Sequence, residues 1–591
     1  MRKLIIPALA LFILASCSND EKGLVNRGEV NTNYLSVNLV TNFAGTRATD
    51  EDDFLQGTND ENRVNSVRFY FFNASGGAAD VKRTTGDNFV NYYDWTPSGD
   101  VNNFGEQENN NVTNVISATL VIESPSDGSK DKTDAASLIA IVNPTASLLA
   151  KTASMDKATL LSEAESYTSY TFDSTGKGKF VMSNSVYSDE AASSPEKIIE
   201  VATDGHYYPT PDAAKGNPVT IYVERVLAKV QLTSDDETLK PVPVIVDGKT
   251  INLYDTGETY QDNSGATQKI YVKFVNWDVT TTPDKSNLVK NIDPAWSPTL
   301  FGAADIWNEP SRHRSYWAVN PSGINYDFLT YNDVTQTENV IFGEANVRYP
   351  HENAGNIDDS NYRPSQVIIG AQLVKADGTP LTIMKYGFDS YLNQTDLKKA
   401  LLALVTTKYY VETSSEGTET AGGKNYRQIG VDDVEFVTDG SLLSSSSTDL
   451  KDKTCYTRLQ LKKAGTGEPA VKYYTISGTG NSKVATEVSS SIINNTLLAL
   501  GRQKIWEGGN TYYYFDIHHI GYLADGTRRT GVVRNHIYLV KIKTLVGLGT
   551  PVYDPEEEII PQKPEGDDTY MAAEIKVLSW RLVNDEVDLK W

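Results

Sequence analysis

Cysteine is almost absent from this chain, whose 591 residues contain only Cys17 and Cys455. Two cysteines exclude a disulfide-stapled scaffold and a cysteine-based zinc site. Basic residues are also outnumbered, with 54 Lys and Arg against 77 Asp and Glu, so the net charge is −23. An acidic surface of this kind repels phosphate backbones and anionic lipid headgroups, which argues against nucleic-acid binding as the main role.

Long hydrophobic runs are missing as well. The apolar run Leu4–Leu14 follows Arg2 and Lys3 and has about half of the roughly 20 residues that a membrane-spanning helix needs. A charged start, a short apolar stretch and small residues before a break are typical of a secretory signal. Leu-Ala-Ser directly before Cys17 resembles a bacterial lipoprotein signal, in which residues 1–16 are removed and Cys17 is lipidated. An ordinary signal with an incidental cysteine is the alternative.

A β-rich fold is indicated by what is present, since the chain has 33 Tyr and 39% hydrophobic residues but only five Met. Residues 33–43 alternate, with Leu35, Val37, Leu39 and Phe43 on one face, as in a half-buried strand. Small and polar residues follow at 44–49, and this composition predicts an exposed loop that is open to proteolysis.

The rest of the chain reads as two β domains, at 48–232 and 233–550. A helix is predicted over 145–164 and another over 393–404. One β-branched strand is predicted over 219–232, and long loops over 280–365. The other predicted strands cover 64–72, 115–122, 138–142, 180–182, 242–246, 270–275, 367–373, 406–411, 512–517 and 537–542.

The C-terminal segment 551–591 combines a tether and a strand. Four prolines, at 551, 555, 561 and 564, interrupt an acidic stretch that cannot form a helix or a central strand. The residues after it are too few for a core of their own. Their apolar positions are Ala573, Ile575, Val577, Leu578, Trp580, Leu582, Val587 and Leu589. The alternation slips by one residue between Val577 and Leu578, as a β-bulge would allow.

An apolar strand on a stiff tether must dock somewhere, since a bare edge strand aggregates. It could fold back onto its own chain, which is the commoner fate of terminal strands. It could also complete a sheet in a neighbouring molecule by β-strand addition. The four prolines favour the second choice. A cut after Arg47 would free the strand that carries Leu35, Val37, Leu39 and Phe43 and open a matching groove.

The sequence shows none of the catalytic and metal-binding motifs considered. It has no His-Glu-x-x-His motif, no Gly-x-Ser-x-Gly motif and no phosphate-binding glycine loop with Lys-Ser/Thr. His518 and His519 are adjacent, so they point to opposite faces of a strand and are not expected to share a metal. His536 is expected to pack or to form a hydrogen bond. We therefore predict no enzyme activity, no cofactor and no metal.

Several motifs carry a resemblance to a known family. They are Ile-Val-Asn-Pro at 141–144, Met-Ser-Asn-Ser at 182–185, Val-Glu-Arg-Val-Leu-Ala-Lys-Val at 223–230, Val-Val-Arg-Asn-His-Ile-Tyr at 532–538, the tail at 570–580 and Glu-Val-Asp-Leu at 586–589. With these motifs the sequence resembles the fimbrillins, or type V pilins, of the Bacteroidales, and most of all the structural subunit of the short fimbriae.

The resemblance implies a mainly β fold with two tandem transthyretin-like β-sandwich domains, a few short helices and a C-terminal donor-strand tail. It also implies a propeptide at 17–47, lipidation on Cys17, and cleavage between Arg47 and Ala48 by an arginine-specific protease. Arg27 and Arg63 are competing cleavage sites. The donor strand would lie within Ala573 to Leu589.

The function implied is that of a fimbrial stalk subunit that polymerises by protease-triggered donor-strand exchange and supports adhesion and biofilm formation. Its expected partners are identical subunits, anchor and tip fimbrial proteins, the protease, and host or bacterial surface ligands. The precursor would be an outer-membrane lipoprotein and the mature form would reside in cell-surface fimbriae. The alternative is a monomeric, glycan-binding surface lipoprotein or adhesin.

Overall fold

The computed structural model describes most of the chain. The described residues are 30–42, 57–85, 88–98, 114–125, 133–185, 199–293, 317–339, 341–355, 362–415, 417–438, 456–465, 470–522, 528–561, 570–579 and 582–583. They are mainly β, which confirms the predicted fold class. Within these ranges, no helix is both long and apolar enough to cross a membrane.

In the first part of the chain, the described residues form eleven strands and three short helices. The strands are β1 (Val30–Asn42), β2 (Val67–Phe72), β3 (Lys82–Arg83), β4 (Phe89–Val90), β5 (Tyr92–Trp95), β6 (Asn114–Pro125), β7 (Ser137–Val142), β8 (Ala164–Glu165), β9 (Met182–Asn184), β10 (Val201–Ala202) and β11 (Val219–Arg225). The helices are α1 (Ala146–Leu149), α2 (Lys157–Leu161) and α3 (Pro211–Lys215).

One sheet organises this first domain, with strand order β5-β2-β7-β9-β11-β1-β6 and with β10 beside β7. A single buried cluster unites apolar residues of β1 and β6 with those of β2 and β7. Strands from the two halves of the sheet therefore share one core. β1 occupies the last position but one in the sheet, so it has a neighbouring strand on each side.

The prediction of one helix over 145–164 is wrong, because two short helices, α1 and α2, occupy this range. Thr145 and Asp156 each cap a separate helix through the side chain. Between them, the guanidinium of Arg68 donates to the carbonyls of Leu148 and Lys151 at 2.8 and 3.0 Å. A buried cation thus takes up carbonyls that a continuous helix would have used, and α1 ends at Leu149.

The second part begins with nine strands and one helix among its described residues. The strands are β12 (Lys229–Ser234), β13 (Val242–Val246), β14 (Lys249–Gln261), β15 (Thr267–Thr280), β16 (Thr282–Pro283), β17 (Ser286–Asn287), β18 (Tyr326–Asp327), β19 (Val347–Arg348) and β20 (Gln366–Val374). The helix is α4 (Tyr331–Thr335). The region 280–365, predicted as loops, thus holds several short elements in its described parts.

A further group of elements follows before the chain returns to the second domain. The strands are β21 (Ile383–Tyr386), β22 (Asp389–Tyr391), β23 (Tyr410–Thr413), β24 (Glu419–Ala421), β25 (Lys424–Gln428), β26 (Val434–Thr438), β27 (Thr457–Leu461), β28 (Tyr473–Ser477), β29 (Val484–Val488) and β30 (Lys504–Trp506). The helices are α5 (Gln394–Ala403), which confirms the prediction over 393–404, and α6 (Ser490–Leu498). Leu397, Leu401, Ile493 and Leu497 of these helices belong to a separate buried cluster.

The last strands complete the second domain. They are β31 (Asn510–Asp516), β32 (His518–Tyr522), β33 (Arg528–Thr530), β34 (His536–Val546), β35 (Thr550–Pro551), β36 (Tyr570–Ser579) and β37 (Leu582–Val583). One sheet has the order β13-β14-β15-β20-β31-β35 and another the order β19-β12-β34-β36-β37. Their apolar residues meet in one cluster, so the two sheets form a sandwich.

The single strand predicted over 219–232 is two strands in two different sheets. β11 ends at Arg225 in the first domain, and β12 begins at Lys229 in the second. The chain between them is fully buried, with Val226, Leu227 and Ala228 all at or below 1% exposure. Continuous burial hides the change of sheet from sequence inspection, because the apolar pattern is uninterrupted.

Candidate functional site

The strand β1 fills a slot between two other strands of the first domain. On one side it pairs antiparallel with β6 along almost its whole length, from Val30 opposite Pro125 to Asn42 opposite Asn114. On the other side it pairs parallel with β11, from Val37 opposite Val219 to Val40 opposite Tyr222. Removal of β1 would therefore leave two strand edges facing each other with a gap one strand wide.

The inner face of β1 is apolar, as the alternation predicts. Leu35, Val37 and Leu39 are all fully buried and belong to the core of the first domain. Their loss would expose the core of this domain along the slot, at roughly 1.5–3 kcal/mol for each buried aliphatic side chain. Phe43 lies outside the described residues.

A loop and a short helix close the slot where β11 does not reach. Tyr34 exchanges two backbone hydrogen bonds with Tyr208, at 2.7 and 3.0 Å, upstream of the paired β11 segment. α3 also contacts β1. Ser36 is only 3% exposed, although it lies on the face opposite Leu35 and Val37. The slot thus confines both faces of the strand at this position.

The tail lies on its own second domain in this structure. β36 pairs antiparallel with β34, and β37 turns back to pair with β36. Positions 573, 575 and 577 stand opposite Ile542, Val540 and Tyr538, all of which are fully buried in the core of that domain. This is the arrangement in which the tail folds back onto its own chain.

The predicted site residues are covered by the structure only in part. Ala573, Ile575, Val577 and Leu578 lie on β36, and Leu582 lies on β37. Cys17, Arg47, Ala48, Trp580, Val587 and Leu589 lie outside the described residues.

The motifs at 223–230 and 532–538 meet at the junction of the two domains. Arg225, at the end of β11, donates from Nε to the carbonyl of Glu61 at 2.7 Å and from Nη1 to Oδ1 of Asn535 at 3.0 Å. The backbone N–H of Asn535 donates to the carbonyl of Leu227 at 2.9 Å. Asn535 has a φ of +56°, a conformation that asparagine adopts more readily than most residues. The two motifs therefore join the end of β11 to the start of β34.

Glu61 is the buried carboxylate of this junction. Its Oε1 lies 2.7 Å from Nζ of Lys229 and accepts from the hydroxyl of Tyr349 at 2.7 Å. Burial by itself would raise the pKa of Glu61, but the charges of Lys229 and Arg225 outweigh it and hold the pKa below the ordinary value. Glu61 thus remains ionised, and it links residues of both domains.

Two further buried ion pairs stand at the same junction. Nε of Arg534 lies 2.9 Å from Oε2 of Glu352, and Nζ of Lys290 lies 3.3 Å from Oε1 of Glu224. Arg534 also donates to the carbonyls of residues 287 and 288, at 2.6 and 3.1 Å. Buried charges of opposite sign at these distances fix the geometry of the joint, because separation would leave each one unpaired.

His351 adds a polar contact between the two domains. Its Nε2 accepts the backbone N–H of Tyr167 at 2.8 Å, and its Nδ1 donates to the carbonyl of Pro283 at 2.8 Å. Burial lowers the pKa of His351. A neutral ring satisfies both contacts, which ties the β8 region of the first domain to the second.

Sequence reasoning missed this junction. Glu61 lies in a polar stretch with no pattern that marks it as buried, and its partners Arg225 and Lys229 are more than 150 residues away. Glu224 and Arg225 did carry a signal, since charged residues inside an apolar run are rarely buried without partners. His536 is buried and its Nδ1 bonds to the carbonyl of Arg534 at 2.7 Å, which confirms the expected hydrogen bond.

No group of three or more metal-ligating side chains occurs among the described residues. The candidate functional features of the described residues are the slot filled by β1, the docked tail and the junction of the two domains.

A family model described as "Major fimbrial subunit protein type IV, Fimbrillin, C-terminal" matches residues 504–586. This range runs from β30 to beyond β37 and includes both the 532–538 motif and the docked tail. The sequence has no match among curated proteins.

Solved structures of fimbrial proteins align with this chain at low identity and low TM-score. A fimbrilin (fimA) from Porphyromonas gingivalis W83 shares 11% identity and a TM-score of 0.34, over 94% of this chain and 99% of that chain. The tip fimbrial protein Mfa3 from Porphyromonas gingivalis, with a C-terminal truncation, shares 10% identity and a TM-score of 0.30, over 92% and 100%. A fimbrial assembly protein from Parabacteroides distasonis ATCC 8503 shares 11% identity and a TM-score of 0.26, over 59% and 87%. TM-scores this low support no conclusion about the fold or the function of this chain.

Proposed function

Because residues 504–586 match a family model of fimbrillins, we propose that this chain is the stalk subunit of a surface fimbria and polymerises by donor-strand exchange. The family is one of fimbrial subunits, which are structural proteins of the cell surface and not enzymes. The finer steps proposed are lipidation of the precursor on Cys17, cleavage between Arg47 and Ala48 by an arginine-specific protease, departure of β1, and entry of the tail of another subunit.

The position of β1 carries this proposal. It is the strand directly upstream of Arg47, it is flanked by β6 and β11, and its apolar face is fully buried. A cut after Arg47 separates β1 from the rest of the domain without breaking any other strand that the structure describes. The core of the domain then favours any strand that restores its apolar contacts and backbone hydrogen bonds.

The competing cleavage site at Arg63 is poorly placed for a protease. Its carbonyl accepts from Nδ2 of Asn143 at 2.8 Å, and it follows the buried residues Glu61 and Asn62. Proteases bind an extended and accessible chain, and the chain at Arg63 is held by the domain junction. Arg27, the other competitor, lies outside the described residues.

The tail has two alternative partners in this scheme. On its own chain it covers β34, and in another subunit it would replace β1. Both sites offer apolar residues at a two-residue spacing, so the same tail positions serve in each. Polymerisation therefore requires the tail to leave β34, and its fibre partners are identical subunits together with anchor and tip proteins. Adhesion to host or bacterial surfaces and biofilm formation follow from the fibre.

The proposal is tested by treating the purified chain with an arginine-specific protease. We expect ladders that resist SDS without boiling, and we expect a chain lacking residues 569–591 to be cut but to form none. The uncut chain is the control for the ladder. A cut chain that stays monomeric at high concentration contradicts the proposal, and binding of glycans by an uncut monomer would instead favour a monomeric adhesin.

A further inference from the structure

The tail has a feature that its own docking site leaves unexplained. Its apolar alternation slips by one residue between Val577 and Leu578. On β34, however, the pairing runs without a shift from Ala573 to Ser579, and the shift in that ladder lies near residue 543 of the partner strand. The expected bulge at 577–578 is therefore absent from the docked tail.

The strand β1 has an irregularity of the same kind in the first domain. Its pairing with β6 shifts between Val40 and Asn42, so one residue of β1 has no partner there. Such a bulge changes which face of the strand the following residues occupy. A strand that replaces β1 must change the alternation of its apolar residues at the same place. Otherwise, the apolar residues that follow the bulge point away from the core.

The two irregularities coincide in one alignment. When Leu578 is placed at the position of Asn42, the break in the apolar alternation of the tail coincides with the bulge of β1. The same alignment puts Met571, Ala573 and Ile575 on the positions of the three buried residues of β1, and it places Tyr570 on Tyr34. The aligned segments are YMAAEIKVL at 570–578 and YLSVNLVTN at 34–42.

The confined position of Ser36 separates this alignment from its neighbours. It is 3% exposed, and its Oγ donates to the carbonyl of Ala118 at 3.3 Å. The alignment above brings Ala572, a smaller residue, to this position. If the tail were shifted by two residues so that Glu574 stood at the position of Ser36, its carboxylate would be buried. A two-residue shift in the opposite direction would place the large side chain of Tyr570 at that confined position. A shift of one residue would turn the charged face of the tail into the core.

From these observations we infer the register of the incoming strand: residues 570–578 of a second copy of this chain occupy the positions of residues 34–42. The strand runs parallel to β11 and antiparallel to β6, as β1 does. Tyr570 takes over the two backbone hydrogen bonds to Tyr208, and Glu574 lies opposite Ser117, on the exposed face. This inference rests on the proposed strand exchange and specifies its partner segment.

Cysteine cross-linking tests the register in the full-length chain. Ser117 is exposed and stands opposite Asn38, the position inferred for Glu574. In a Cys455→Ser background, we compare E574C with A572C and K576C, each combined with S117C, after protease treatment and mild oxidation. We expect the E574C chain to give most of its ladder as boiling-resistant, reductant-sensitive species, and the two shifted pairs to give little.

A second pair of variants relies on the size of the slot. A572E places a charge at the confined position, and we expect it to abolish the ladder. A572S restores the side chain that β1 has there and should leave the ladder intact. On its own chain this residue stands opposite the exposed Thr544, so A572E is expected to leave the uncut chain folded, as checked by its circular dichroism and melting temperature.

The outcomes separate the register from the strand exchange itself. A ladder in which K576C or A572C cross-links best, or in which A572E assembles normally, overturns the register and leaves the exchange standing. The absence of a ladder from the parent chain, with the cut verified by mass, overturns the proposed function.

Discussion

Replacing Glu61 with alanine is expected to destabilise the uncut chain by about 3–5 kcal/mol, the usual cost of removing one partner of a buried ion pair. The carboxylate is fully buried, and its loss leaves the ammonium of Lys229 without its ion-pair partner and the hydroxyl of Tyr349 without an acceptor. Denaturant unfolding followed by tryptophan fluorescence measures the effect. Because Glu61 links residues of both domains, we expect the melting of the two domains to become less cooperative.

A matched control is Glu487→Ala, which breaks the exposed ion pair with Lys472. Exposed pairs contribute little, so this variant should change the free energy of unfolding by less than about 1 kcal/mol. Equal effects of the two substitutions would contradict the structural role assigned to the junction.

The pH dependence of Glu61 supplies a second readout. Its pKa lies below the ordinary value of 4.5 in the folded chain. Its ion pair is therefore fully stabilising above pH 4.5, and that contribution is lost as the pH falls through the folded pKa. E61Q lacks this proton uptake, so its stability should fall less steeply with acidification in that range.

The second large effect is expected from Leu39→Ala, which should lower the stability of the uncut chain but not that of the assembled ladder. Leu39 is fully buried in β1, so the substitution should destabilise the uncut chain by about 2–5 kcal/mol. In the proposed exchange β1 is cut off and replaced, so the altered residue is no longer part of the subunit. The temperature at which the ladder dissociates in SDS should then equal that of the parent chain.

Leu120→Ala is the matched control for this effect. Leu120 is also fully buried, stands opposite Leu35, and belongs to β6, which remains in the cut chain. Its truncation should lower both the stability of the uncut chain and the dissociation temperature of the ladder. A ladder weakened equally by L39A and L120A would show that β1 is retained.

Local patterns predicted the strands well where one face is buried. The alternation of Leu35, Val37 and Leu39 predicted β1, and the spacing in 393–404 predicted α5. These elements depend on residues that are close in sequence, so their periodicity is visible without the fold.

Long-range contacts account for the wrong predictions. Arg68, far from residues 145–164, takes up the carbonyls that end α1. The change of sheet between β11 and β12 depends on Asn535, more than 300 residues later in the chain. No local pattern contains such partners, which is why the domain junction emerges only from the structure.

The exchange of β1 for the tail of another subunit is tested most directly by mixing two chains, one of which can only donate its tail and the other of which can only accept a strand. Arg47→Ala keeps β1 in place and offers only its tail, while a cut chain lacking residues 569–591 offers only its slot. Native mass spectrometry or light scattering of the mixture should give a 1:1 complex and nothing longer, and each chain alone should stay monomeric. A mixture that stays monomeric, or a donor chain that polymerises by itself, would contradict strand exchange.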